Sequence, residues 1–281
     1  MTDADLVAFL KWAVARLGLR WTGLRDFRGT VRKRLTKRLA ELGLADLAAY
    51  RAYVEREPDE AQVLEAMCRI PISRLYRDAS VFDLLAKELL PERARAAERE
   101  GRSAVRIWSA GCASGEEPTT VAILWHVDVA PDHPSIALEL IATDADEGML
   151  ARAERGAYGP GSVRELPPRL RERALRREGL LFVVDPELRR GVTFRREDLR
   201  RSMPDGPFDV VLCRNMLLTY IDESQHLPLL QAIVARLLPG GVLVVGSRET
   251  MPAGLEGLEH RGPGLYVARA IDSSRGREPA P

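Results

Sequence analysis

The hydrophobic period of the chain changes once, near residue 104, and this change restricts the fold more than any other feature. Upstream, apolar residues recur at helical spacing. Residues 4–17 carry one such stripe, and Val31, Leu35, Leu39 and Leu42 lie at i, i+4, i+8 and i+11 of a helix expected over 30–44. Further helices are expected over 45–55, 59–68 and 79–88. Downstream, short apolar runs at 104–108, 136–142, 192–195, 208–213, 242–246 and 265–268 are interleaved with helical patterns near 117–126 and 147–155. Alternation of this kind predicts right-handed βαβ units and a mostly parallel sheet. The predicted organisation is a helical domain over 1–98, a linker near 98–103 and an α/β domain over 104–270. A Pro- and Arg-rich insert is expected at about 158–191 with one small strand at 180–184, and a disordered tail over 271–281.

Composition removes several classes. With 281 residues, 46% hydrophobic and 30% charged, the chain can bury a sizeable core. No run of 18 apolar residues occurs, so no membrane span is expected. The first residues are acidic and do not form a secretory leader. Cys68, Cys112 and Cys213 are too few and too scattered for a disulfide framework, which suggests a reducing cytoplasm. The histidines show no metal-ligand spacing, so no metal is expected. The 42 basic residues nearly balance 41 acidic ones, which makes nucleic acid an unexpected partner. All but four of the basic residues are arginines, a bias that coding composition explains as well as function does.

Ligands of open parallel sheets bind beyond the carboxyl ends of the strands, at the point where strand order reverses. Three strand ends carry suggestive groups. The first opens into Gly111-Cys-Ala-Ser-Gly115 followed by Glu116, Glu117 and Pro118. The loop lacks the pattern and the lysine of a phosphate-binding loop, and its two acids suit a cationic ligand. The second ends at Asp144, placed to accept from ribose hydroxyls, or alternatively to cap the next helix. Asp198 follows the run at 192–195 and is placed either to accept from an adenine amino group or as a solvated loop acid. Cys213-Arg214-Asn215 closes the third.

Taken together, Ser109-Ala-Gly-Cys-Ala-Ser-Gly-Glu-Glu-Pro118, Ala142-Thr-Asp-Ala-Asp146, Val192-Thr-Phe-Arg-Arg196, Phe208-Asp-Val-Val-Leu-Cys-Arg-Asn215 and Pro239-Gly-Gly241 resemble, in order, the CheR-type methyltransferases. The resemblance spans about residues 20–269. That family methylates glutamate side chains of bacterial chemoreceptors with S-adenosylmethionine, leaving S-adenosylhomocysteine. It implies a class I methyltransferase domain, Rossmann-like, carrying a small β-subdomain, here about 180–195, behind a helical N-terminal domain with a basic helix. It further implies that Glu116 and Asp144 hold the amino end and ribose of the cofactor, with Gly111 in the same loop. Asp198, Leu199, Arg214 and Asn215 would line the adenine and methionine parts. Ser73 would keep a hydroxyl at a family threonine position, Arg77 would lie at the reacting centre and Tyr220 would be the active-site tyrosine.

Three segments depart from the family pattern, all at the acceptor side. Pro71 replaces an asparagine within Ile70-Pro-Ile-Ser-Arg-Leu-Tyr-Arg77. The segment Arg214-Asn-Met-Leu-Leu-Thr-Tyr-Ile-Asp222 is one residue longer, and Gly246-Ser-Arg-Glu249 replaces Gly-His-Ser-Glu. The resemblance implies methyl transfer to a protein carboxylate, and the departures bear on the acceptor rather than on the cofactor. Transfer to a small molecule and a non-catalytic cofactor-sensing module stand as alternatives. The basic stretch Arg32, Lys33, Arg34, Lys37 and Arg38 is the expected docking face for an acidic protein, and reversing Arg34 and Arg38 is expected to weaken that docking.

Overall fold

The computed structural model describes residues 1–69 and 73–269. It divides into two compact units: residues 1–69 with 215–227 and 249–252, and residues 73–214 with 228–248 and 253–269.

The first unit is helical. Helices Asp3–Leu17, Trp21–Leu24, Arg28–Leu42, Leu47–Arg56 and Glu60–Cys68 enclose Leu6, Leu10, Leu35, Tyr50 and Leu64, all fully buried. Their ends follow local chemistry. Thr2 and Asp5 form a capping box at the start of the first helix, and Gly18, at φ 63°, closes it. Leu217–Tyr220 adds a helical turn to this unit. It reaches Trp21–Leu24 at Gly23, where a Cβ would lie 2.5 Å from the Thr219 carbonyl oxygen, so only glycine allows the approach.

The second unit is built on a seven-stranded sheet with a three-stranded sheet beside it. The strands are β1 (Ala104–Ala110), β2 (Ala137–Asp144), β3 (Ala157–Tyr158), β4 (Leu175–Glu178), β5 (Leu181–Val184), β6 (Val192–Arg196), β7 (Phe208–Leu212), β8 (Leu237–Val244), β9 (Leu258–Gly262) and β10 (Leu265–Ala268). The large sheet runs β6-β2-β1-β7-β8-β10-β9 and the small one β3-β5-β4. From β6 to β8 every pairing is parallel; β10 and β9 close the edge antiparallel. β1 and β7 are mostly apolar because both faces of the sheet are covered: Ile107, Trp108, Val210 and Val211 are fully buried. Arg106, Ser109 and Asp209 are the polar residues in them, and Asp209 is fully buried. Its carboxylate accepts both Arg102 Nη atoms at 2.9 Å and the Arg106 N–H at 2.9 Å, so the charge is paired and hydrogen-bonded. The chain steps from β1 outward to β2 and β6, then returns across β1 to β7. The reversal places the carboxyl ends of β1 and β7 side by side.

Two sequence-based boundaries move. The break expected near 98–103 lies inside the second unit, because the helical segment 79–99 buries Leu85, Leu89, Leu90, Ala94 and Ala97 in the core of the sheet. The small β-subdomain is made from 157–184 rather than 180–195; Val192–Arg196 is instead an edge strand of the main sheet, paired with β2. The tail over 271–281 lies outside the described residues, where no helix is long and apolar enough to cross a membrane.

Candidate active site

The loop after β1 is held by backbone and carboxylate together. Gly111, at φ 74°, and Cys112 both donate their N–H groups to the Thr143 carbonyl, at 2.8 and 2.9 Å. Ala113 is left-handed at φ 48°, and its N–H reaches Asp144 Oδ2 at 2.9 Å. Asp144 Oδ1 accepts from the Asp146 N–H at 2.9 Å. The helix cap considered for Asp144 is instead Asp146, whose Oδ1 accepts from the Met149 N–H at 3.1 Å. Asp144 therefore shapes the loop beyond β1 from the end of β2.

Glu116 opens the helix Glu116–Leu124, its carboxylate in the first turn, where the helix dipole favours negative charge. It is only 3% exposed, and its two oxygens share one donor, the Ser114 hydroxyl, at 3.1 and 2.9 Å. Among the described residues no cation pairs with it. A buried charge is favoured by a partner of opposite sign, so this carboxylate could pair with a cation from outside the chain.

Glu117 has the opposite arrangement. Oε1 accepts from Ser109 Oγ at 2.8 Å and Oε2 from Arg214 Nη1 at 3.0 Å. Arg214 also donates through Nη2 to the Arg77 carbonyl at 3.0 Å and to Asp78 Oδ2 at 2.7 Å. Arg77 sits between two left-handed, non-glycine residues, Tyr76 and Asp78, both at φ 63°. Strained backbone of this kind concentrates at functional sites. The Tyr76 N–H is taken by Thr120 Oγ1 at 3.1 Å, and Leu75 N–H by the Ser162 carbonyl at 2.9 Å, so the segment is moored to the second unit on its near side. Ser73 is half-buried at the start of it, two residues after Pro71, which lies outside the described residues.

At the end of β6 the Glu197 N–H bonds to the Asp144 carbonyl at 3.1 Å, bringing Asp198 and the buried Leu199 to the same rim of the sheet. Asp198 is no solvated loop acid: Arg200 grips it with Nε at 3.0 Å and Nη2 at 2.6 Å. Asn215 and Tyr220 belong to the first unit. Asn215 is left-handed at φ 53°, and its N–H meets Glu249 Oε2 at 2.9 Å, while Thr219 Oγ1 donates to Glu249 Oε1 at 2.7 Å. The Tyr220 carbonyl accepts from the Arg20 N–H at 2.8 Å.

Burial, with the Asp144 and Glu117 charges adding to it, pushes the Cys112 thiol well above its ordinary value. Burial likewise raises the Tyr158 phenol, whose oxygen lies 3.0 Å from Thr119 Oγ1 and 3.3 Å from the Ser114 carbonyl. Among the described residues no cluster of His, Cys, Asp and Glu could hold a metal ion. The sequence reads Glu117 with Glu116 as one of two acids suited to a cationic ligand, whereas the structure pairs it with Arg214. Asp78 and Glu249 are not singled out by the sequence. For Glu249 the altered Gly246-Ser-Arg-Glu249 segment is the available signal; for Asp78 there is none, since its partner Arg214 is 136 residues away.

Residues 72–262 match the model of the CheR methyltransferase S-adenosylmethionine-binding domain. A chemotaxis protein methyltransferase of Listeria innocua is 33% identical over 184 residues, covering 66% of this chain and 67% of that one. Chemotaxis protein methyltransferase 2 of Vibrio cholerae is 28% identical over 258 residues, covering 89% and 87%. Its Pseudomonas aeruginosa namesake is 32% identical over 226 residues, covering 78% and 77%.

Proposed function

The chain belongs to the CheR methyltransferase family, and from that premise we propose that it transfers the methyl group of S-adenosylmethionine to a glutamate carboxylate on an acidic protein. It is an S-adenosylmethionine-dependent methyltransferase of class I fold. The relatives' names tie them to chemotaxis; carried to this chain, they make a chemoreceptor helix the acceptor.

The residues fit the cofactor. The buried Glu116 carboxylate, lacking a cation of its own, is the observation that carries this reading: it suits the ammonium of the methionine part. Asp144, at the carboxyl end of β2, would take the ribose hydroxyls. Asp198, Leu199 and Asn215 would border the base and methionine ends, and Gly111 keeps the loop backbone bare of side chain on their path. The cofactor supplies an activated methyl group on a sulfonium.

What the chain must then do is modest. A glutamate side chain is ionised at neutral pH, its reference pKa being about 4.3, so no general base is required. The acceptor oxygen has to be placed in line and water kept out. Arg77 would orient the carboxylate through a charge-assisted hydrogen bond, with Tyr220 as a companion in positioning and Ser73 beside the same segment. Burial holds the Cys112 thiol and the Tyr76 and Tyr158 phenols above their ordinary values, which suits direct transfer with no covalent step on these groups.

The test is chemical. Purified protein is incubated with methyl-labelled S-adenosylmethionine and a chemoreceptor-rich bacterial membrane fraction, then treated with mild alkali. Label released as volatile methanol marks a carboxyl methyl ester and supports the reading. Alkali-stable label on protein or on a small molecule assigns another acceptor. Cofactor binding with no transfer at all leaves a sensing module.

A further inference from the structure

We propose that Arg214 is a positioning residue, which sets the conformation of residues 76–78 and thereby the placement of Arg77. The inference rests on the reading that Arg77 orients the acceptor carboxylate.

The Arg214 side chain is 3% exposed and joins three separate stretches of chain. Nη1 holds Glu117 in the first turn of the helix after β1 at 3.0 Å; Nη2 holds the Arg77 carbonyl at 3.0 Å and the Asp78 carboxylate at 2.7 Å. Its guanidinium carbon stands 5.1 Å from the centre of the buried Phe82 ring. Glu117 is itself fixed by Ser109 Oγ at 2.8 Å, at the carboxyl end of β1. The arginine thus ties the ends of β1 and β7 to the segment that carries Arg77.

That segment needs such a tie. Tyr76 and Asp78 both sit at φ 63°, a region that L-residues leave unless the surroundings hold them there. Tyr76 is anchored through its N–H to Thr120 and through its hydroxyl to Asp83 Oδ1 at 2.7 Å. On the far side, the Arg77 carbonyl and the Asp78 carboxylate converge on one Nη2. Electrostatics points the same way. With the arginine in place two carboxylates share one cation; without it the half-exposed Asp78 would lose its pairing and swing toward solvent, taking Arg77 along. A lysine keeps the charge but has no planar fork to span both carboxylates and the carbonyl. Nε is buried without a partner, so the two Nη atoms carry every hydrogen bond the side chain makes.

The experiment compares wild type, Arg214→Lys, Arg77→Lys and the double variant, with labelled S-adenosylmethionine and the chemoreceptor-rich membrane fraction as acceptor. Arg214→Lys is expected to slow single-turnover methylation more than tenfold and to change the cofactor Kd less than threefold, because the guanidinium that the sequence placed beside the cofactor is engaged by Glu117, the Arg77 carbonyl and Asp78. The double variant is expected to be no slower than Arg77→Lys alone, because both changes remove the same interaction. Amide exchange in peptides covering 74–82 should accelerate in Arg214→Lys. Arg102→Lys, which loosens the Asp209 pair instead, serves as the stability control: it should lower Tm without slowing the turnover. If Arg214→Lys fails to fold, Asp78→Asn removes one arm of the same tie and is expected to give the same kinetic split. Multiplicative losses in the double variant, or unchanged exchange over 74–82, would overturn the proposal. The exchange measurement needs no acceptor, so it stands apart from the carboxylate reading, which fails alone if wild type yields no alkali-labile ester.

Discussion

Glu116 and Asp144 are both acids at strand ends, but their surroundings predict different responses to loss of charge. Glu116 is buried against a single hydroxyl, so a cationic ligand would add the opposite charge that its surroundings among the described residues do not supply. Glu116→Gln should raise the Kd for S-adenosylmethionine about ten- to a hundredfold, the range set by a charged hydrogen bond of about 1.5–3 kcal/mol. It should leave Tm unchanged or higher, a stability gained at the expense of function. Asp144 instead accepts two backbone N–H groups, from Ala113 and Asp146. In Asp144→Asn one of those donors would meet an amide NH₂. Cofactor affinity should fall over a similar range, and Tm should fall with it. Calorimetric titration and thermal melting of the two variants decide the matter; a Glu116→Gln protein that binds the cofactor normally, or melts earlier, contradicts the assignment.

At the scale of elements, the turn from β1 into its helix depends on Gly115. Its φ is 83°, and a Cβ there would lie 2.6 Å from the Ala153 Cβ and 3.1 Å from the Ala153 Cα, on the helix Glu147–Arg155 that follows β2. Gly115→Ala should therefore push those two helix ends apart, costing about 1–3 kcal/mol in stability from overpacking, with more for the left-handed backbone. It should lower cofactor affinity as well, because Ala113 and Glu116 flank it. A variant with unchanged melting and binding would show that the helices have slack. These elements were legible in the sequence where burial on both faces forces an apolar run, as in Phe208-Asp-Val-Val-Leu212, or where a loop punctuates it, as in Gly111 to Gly115. They were not legible where the strand is solvated. Leu175-Arg-Arg-Glu178 and Leu258-Glu-His-Arg-Gly262 carry too few apolar residues to show a period, yet both pair in sheets. The site was half legible for a related reason. Asp144 and Glu116 stand at positions that strand order makes special, whereas the duties of Arg214, Asp78 and Glu117 exist only once segments about a hundred residues apart meet.

Across the whole molecule, charge is spent inwardly more than the sequence suggests, and the basic helix shows the consequence. Arg34 donates through Nη1 to the Met67 and Arg69 carbonyls at 3.0 and 2.8 Å, closing the end of the helix Glu60–Cys68. Arg38 grips the buried Glu60 with Nε at 2.9 Å and Nη2 at 2.6 Å, and Tyr50 donates its hydroxyl to the same carboxylate at 2.7 Å. Arg32 pairs with Asp3 at 2.6 Å. The reversal of Arg34 and Arg38, expected from sequence to probe docking, would instead break the first unit: Arg38→Glu alone sets two carboxylates together and should cost about 3 kcal/mol or more. The cations that face outward are Lys33 and Lys37, the latter only loosely paired with Glu41 at 3.6 Å. Lys33→Glu with Lys37→Glu should keep stability within about 0.5 kcal/mol, as surface changes do, leave cofactor binding untouched, and lower protein methylation several-fold. Salt should lower wild-type methylation in parallel, since exposed charges are screened over about 8–10 Å. The Glu60 cluster adds a pH signature. Burial alone would raise its carboxyl, but the bonds from Arg38 and Tyr50 outweigh that and hold it below the usual carboxylate range. Its contribution to stability is therefore complete above the unfolded value of about 4.3 and is lost as pH falls through the depressed folded value. Acid titration followed by circular dichroism should show Glu60→Gln with a lower plateau at neutral pH and a shallower fall below pH 4.3 than wild type. Equal acid slopes would remove Glu60 from that linkage. Full methylation by the Lys33/Lys37 double variant at every salt concentration would move the acceptor away from this helix.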